Sequence, residues 1–123
     1  MLESSKIAAF VATADPQKAR DFYENTLGLK LVADEEYAIV FDANGTTLRV
    51  QKAGEFTPHP FTSLGWHVND IEASVDELRG KGVVFEQYPW MSEGSNGIMT
   101  FPNGAKVAWF KDPDGNLLSL DQY

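Results

Sequence analysis

The sequence predicts an α+β fold of two βαβββ modules, and two observations predict it. The first is an internal repeat. Asp15-Pro16-Gln17-Lys18-Ala19-Arg20-Asp21-Phe22-Tyr23, leading to Leu27-Gly28, is echoed 55 residues on by the run from Asp70 to Leu78, leading to Gly82. Phe41 to Val50, through Asn44-Gly45, is echoed about 70 residues on by Phe110 to Leu120, through Asp114-Gly115. The second observation is that each echo falls within the same order of strand-like and helix-like runs. At 123 residues the chain fits one domain over 1–123, with modules at 5–52 and 62–123, neither expected to fold alone. The junction of two such halves is a natural place for a ligand.

Lys6 to Thr13 alternates in β-friendly residues and reads as a strand. Asp15 caps a helix that starts at Pro16, where a missing N–H costs nothing, and that presents Ala19, Phe22, Tyr23 and Leu27 on one face. Gly28 ends it. Strands are expected at Leu29 to Ala33, Tyr37 to Asp42 and Thr46 to Gln51, the last two joined by the Asn44-Gly45 turn. Lys52 to Phe61, with Gly54, Pro58 and Pro60, reads as a linker. The second module repeats the order, with a strand at Ser63 to Val68, then a helix from Asp70 burying Ile71, Val75 and Leu78, then a turn at Lys81-Gly82. Strands follow at Val83 to Gln87, Val107 to Phe110 and Leu117 to Leu120. Asp112-Pro113-Asp114-Gly115 is a tight turn in which Pro113 presets φ and Gly115 accepts the left-handed region. The extra residues of this half, at about 88–104, are rich in Gly and Asn and read as an added hairpin.

Composition narrows the function. Hydrophobic residues make up 43% and charged residues 23%, ordinary for a globular protein, and no apolar run approaches a membrane span. A cytoplasmic location is expected. The absence of cysteine removes disulfides, thiolate catalysis and thiolate metal sites. A net charge of −8 repels phosphate backbones, so neither nucleic acid nor an anionic membrane is an expected partner.

Paired βαβββ units of this size, with Asp15…Phe22-Tyr23…Leu27-Gly28-Leu29 and Trp109-Phe110-Lys111-Asp112-Pro113-Asp114-Gly115-Asn116, resemble the vicinal oxygen chelate superfamily. That superfamily includes glyoxalase I, extradiol dioxygenases and bleomycin-resistance proteins. The likeness spans nearly the whole chain, and it implies a homodimer. It also implies that the two modules form curved half-sheets around a cup, and that in metal-using relatives a divalent ion sits there, held by His, Gln or Glu on the first and last strand of each unit. Carried onto this chain, those places fall on Ala8, Arg49, Ser63 and Ser119. A methyl, a permanent cation and two hydroxyls form a poor shell for such an ion, so no metal and no cofactor are expected.

If Ala8 and Ser63 face the cup, alternation adds Phe10, Ala12, Gly65 and His67. The last strands add Thr47, Arg49 and Gln51, and Leu117, Ser119 and Asp121. An arginine inside a cavity needs a partner, and two remain open: Asp121, or a ligand carboxylate or phosphate. Trp90, in Tyr88-Pro89-Trp90-Met91, is a candidate wall or lid for the ligand. Trp66 and Trp109 are expected in the core, and His59 in solvent. The leading expectation is a small-molecule binder that lacks the metal-ligand set and sequesters a polar or cationic organic compound. One alternative is a metal-independent lyase or isomerase with His67 or Asp121 as base and Arg49 steadying an oxyanion. The other is a metal-dependent glyoxalase or dioxygenase whose ligands lie elsewhere.

Overall fold

Each half of the repeat folds into its own four-stranded sheet, in a computed structural model that describes residues 1–92 and 94–123. The first unit, Met1–Pro58, contains β1 (Ala8–Thr13), α1 (Pro16–Asp21), β2 (Lys30–Asp34), β3 (Ala38–Ala43) and β4 (Thr46–Lys52), in sheet order β1-β4-β3-β2. The second, His59–Tyr123, contains β5 (Leu64–His67), α2 (Ile71–Gly80), β6 (Ile98–Thr100), β7 (Lys106–Lys111) and β8 (Leu117–Gln122), in order β5-β8-β7-β6. The chain is thus an α+β protein of two βαβββ modules.

The repeat extends to the register. In the first unit β1 runs parallel to β4 with Phe10 opposite Arg49 and Ala12 opposite Gln51. In the second, β5 runs parallel to β8 with Gly65 opposite Ser119 and His67 opposite Asp121. These pairings are related by the same spacings, 55 and 70 residues, that relate the two halves of the sequence.

Both helices start as their sequences dictate. Asp15 Oδ1 accepts from the Lys18 N–H at 3.3 Å, with Pro16 in the first turn, and Asp70 Oδ1 accepts from the Ala73 N–H at 3.1 Å. Such a cap contributes about 1 kcal/mol. The first helix departs from expectation part-way. After Asp21 it widens into a π-helical turn over Phe22–Thr26, where Leu27 N–H reaches the Phe22 carbonyl at 2.9 Å, and Gly28 at φ 77° ends it. The wider turn leaves Tyr23 fully buried, its ring 6.0 Å from that of Phe41.

Alternation sorts the strands into faces. Val11, Thr13, Leu48, Val50 and Phe41 are buried on the face of the first sheet that meets Tyr23. Phe10, Thr47, Arg49 and Gln51 take the other face and keep solvent contact. In the second sheet α2 packs over Phe110, Leu118 and Leu120, and Gln122 Oε1 accepts from the Ile71 N–H at 2.8 Å. Trp109, Ser119, Asp121 and His67 lie on the face away from that helix.

One element is absent from its expected place. The strand read over Val83 to Gln87 is a single bridge, Phe85 opposite Phe110, with Glu86 N–H donating to the Trp109 carbonyl at 2.8 Å. The edge beyond it is filled by β6, which pairs Ile98 with Ala108, Met99 with Val107 and Thr100 with Lys106. Alternating Val83, Phe85 and Gln87 satisfy the sequence pattern of a strand, but β7 has only one free edge, and the extra segment takes the rest of it. No helix among the described residues is long and apolar enough to cross a membrane.

Candidate functional site

The helix-free face of the second sheet gathers the richest chemistry. Trp109 projects from β7 opposite Ser119 of β8, which in turn faces Gly65 of β5. Around Trp109 the extra segment folds back two more rings. Trp90 stacks on Tyr88 at 5.4 Å with planes 11° apart, and Trp109 meets both edge-on, each at 5.9 Å. The Trp109 indole N–H donates to Thr62 Oγ1 at 3.2 Å, which fixes the orientation of its ring. Trp90 nevertheless stays 60% exposed. Burial pushes the Tyr88 phenol above its ordinary value, and the neighbouring Glu86 carboxylate adds to the effect.

Trp109 is therefore not the core residue its strand position suggested. It shares parity with exposed Lys111 and alternates with buried Ala108 and Phe110. That alternation was present in the sequence and was the signal that could have placed it. Tyr88 and Thr62 were missed, because their roles depend on where the extra segment folds.

One rung further along the same face, His67 Nδ1 contacts Asp121 Oδ1. A carboxylate can only accept, so His67 Nδ1 is the donor in this contact. The His67 side chain is 80% exposed and its ring meets that of Tyr123 edge-on at 5.6 Å. Ser119 is only 7% exposed, and it owes its place to Gly65. A Cβ on Gly65 would stand 2.6 Å from Ser119 Oγ. Ser63 lies just before β5 and is exposed, its N–H donating to the Leu117 carbonyl at 2.9 Å.

In the first unit the equivalent face is plainer. Ala8, Phe10 and Ala12 line β1, and Thr47, Arg49 and Gln51 line β4, with Phe10 57% exposed. Arg49 finds a partner that sequence reasoning did not name: its Nη2 donates to Glu35 Oε1 at 3.5 Å. Within the second unit, Asp121 contacts His67. With a third of its side chain exposed, Arg49 is not the buried charge that pairing argument assumed.

The donor chemistry of Ala8, Arg49, Ser63 and Ser119 does not fit a divalent cation. A slip of one residue replaces Arg49 by Leu48 or Val50 and Ser119 by Leu118 or Leu120, all apolar, so neither parity supplies a shell. Among the described residues no group of three His, Cys, Asp or Glu side chains converges on a common point.

Residues 6–120 match the family model of the Glyoxalase/Bleomycin resistance protein/Dioxygenase superfamily. The chain belongs to that superfamily. Among solved structures, a glyoxalase/bleomycin resistance protein/dioxygenase superfamily member from Sphaerobacter thermophilus is 24% identical with TM-score 0.77, covering 100% of both chains. A glyoxalase family protein from Enterococcus faecalis is 18% identical with TM-score 0.78, covering 98% of this chain and 99% of its own. A lactoylglutathione lyase from Agrobacterium tumefaciens is 17% identical with TM-score 0.71, covering 98% and 95%. No curated protein matches. At these identities the neighbours define the fold, and one superfamily scaffold carries unrelated chemistries.

Proposed function

We propose that this superfamily member is a metal-independent small-molecule binder that holds a planar polar or cationic organic compound on the helix-free face of its second sheet. The observation that carries this reading is the Tyr88, Trp90 and Trp109 cluster beside Ser119 and the Asp121–His67 pair. An indole left 60% exposed, yet braced by two other rings, is a rigid aromatic platform of the kind ligands stack on. The net charge of −8 favours cations over anions at such a site. A thermal-shift screen over planar metabolites and antibiotics tests it. A compound present at about 100 times its Kd adds about 2.7 kcal/mol of stability, a shift of several degrees. Trp90→Ala is expected to weaken the compounds found by at least about tenfold while leaving the unliganded Tm nearly unchanged. Equal affinity in Trp90→Ala, or a stoichiometric divalent ion in protein purified without chelator, would overturn the reading.

A second reading follows from one contact. Because Asp121 contacts His67 Nδ1 and the imidazole is otherwise largely exposed, the pair has the arrangement of a general base. A metal-independent lyase or isomerase built on it would lose turnover in His67→Ala without losing ligand affinity.

A further inference from the structure

The second unit contains a cavity of about 560 Å³ that wraps the free edge of β6, separate from the face that holds Ser119, Asp121 and His67. Its walls include Trp90 and Met91 from the extra segment, Ile98, Met99 and Thr100 from β6, and Glu72 from the first turn of α2. That volume lies within the range that encloses a drug-sized molecule. Its apolar lining is polarizable: an indole and two thioethers, of which Met91 is only 8% exposed and is tied down by its Sδ accepting from the Tyr88 N–H at 3.3 Å.

Charge selects among possible occupants. Among the described residues of the lining, the one ionised side chain is the Glu72 carboxylate, whose Oε1 accepts from Lys106 Nζ at 2.7 Å. The Lys106 hydrogen bond holds the Glu72 carboxyl below its ordinary range, so it is ionised at neutral pH. Arg79, the guanidinium of α2, is not itself in the lining and is engaged by Asn96, which is. It bonds the Asn96 side chain, donates to the Asn96 carbonyl at 2.8 Å, and sits 5.5 Å from the centre of the Phe85 ring. Residues 59–123 carry nine acidic and four basic side chains, so the surrounding field has the same sign. Tyr88 stacks on one face of the Trp90 indole, which remains 60% exposed.

We propose that this cavity binds an aromatic organic cation, with its ring on Trp90 between the thioethers of Met91 and Met99 and its positive charge toward Glu72. An indole face attracts a cation through its quadrupole, and a carboxylate at the rim adds to that attraction. Neither favours an anion. The inference goes beyond the sheet-face site, with which it shares only Trp90.

The test is calorimetric titration of the intact chain with three probes of one shape: N-methylquinolinium, uncharged quinoline above neutral pH, and a quinoline carboxylate. Affinity is expected to fall in that order, with roughly a tenfold preference for the cation over the neutral ring. Glu72→Gln is expected to cut that preference to about twofold while quinoline itself binds unchanged. Thr100→Phe, which fills the cavity from β6, is expected to abolish binding of all three, and an unaltered Tm confirms that it folds. Trp109→Ala distinguishes the two sites. Binding that survives Thr100→Phe and keeps its charge preference in Glu72→Gln, but is lost in Trp109→Ala, would overturn the proposal and place the ligand on the sheet face. Failure of all three probes to bind would overturn it as well, and would leave the sheet-face reading to its own screen.

Discussion

The two units share a register and differ in what they do with it. At one rung the first sheet sets Phe10 against Arg49, and the second sets Gly65 against Ser119. In the first unit the guanidinium turns to Glu35, on the loop beyond β2, and the face closes on itself with an exposed ion pair. In the second, a glycine takes the place of the bulky ring, the serine settles into the space, and the extra segment brings Tyr88 and Trp90 over the neighbouring strand. Duplication supplies a pair of equivalent surfaces. Function is expected where the equivalence breaks, because packing alone gives the two faces no reason to differ.

The largest contrast lies in the turns before the last strands. In the second unit Asp112 is 5% exposed; its Oδ1 accepts from the Asp114 and Asn116 N–H groups at 3.0 and 2.9 Å, and its Oδ2 from Asn116 Nδ2 at 2.8 Å. In the first, the turn carboxylate Asp42 is partly exposed, with its Oδ1 accepting from Gly45 N–H at 2.7 Å. Removing a buried carboxylate strands the donors it served, so Asp112→Ala is expected to cost about 3 kcal/mol. Asp42→Ala, whose donors can turn to water, is expected to cost about 1 kcal/mol or less. Urea unfolding of both variants checks this. Equal losses would mean that the turns are interchangeable and the asymmetry lies only on the sheet faces.

A smaller effect probes the rung itself. Gly65→Ala places a methyl 2.6 Å from Ser119 Oγ, and the hydroxyl must rotate to admit it. A loss of about 1 kcal/mol is expected, largely restored in the Gly65→Ala, Ser119→Ala double variant because the two side chains compete for one space. Simple additivity in that cycle would show that Gly65 is there for some reason other than Ser119.

Much of this was legible before folding. Asp15 and Asp70 announced the helix starts, the Asn44-Gly45 and Asp114-Gly115 turns announced the hairpins, and the spacings of 55 and 70 carried through to the strand registers. Alternation placed Thr47, Arg49 and Gln51, and likewise Ser119, Asp121 and His67, on the faces away from the helices. The partners were harder. That Arg49 meets Glu35 depends on how the loop after β2 closes, and spacing along a strand holds no information about that. The strand expected at Val83 to Gln87 failed for a related reason: pairing is a competition for an edge, and local pattern cannot show that Ile98–Thr100 wins most of it. Trp109 was misplaced by its position within a strand together with its residue type, since large aromatics are buried on average and this one is held half-buried by other rings.

The smallest predicted effect separates the units by pH. Asp34 of the first unit accepts from Lys52 Nζ at 2.7 Å and from Arg20 Nη1 at 3.1 Å, and the Lys52 hydrogen bond, before the Arg20 one, holds its carboxyl below the ordinary range. A carboxyl whose pKa is lower when folded binds more protons in the unfolded chain as the pH falls. Its contribution is therefore complete above the unfolded value of about 3.9 and is lost as the pH drops through the folded one. Asp34→Asn is expected to lower stability at neutral pH by no more than about 1 kcal/mol, and high salt should shrink the difference further. In acid, below the ordinary carboxylate range, variant and parent should converge. A gap that persists there would mean that Asp34 acts through packing or backbone conformation, and the ion-pair cluster joining α1, β2 and β4 would then be an incidental feature of that edge.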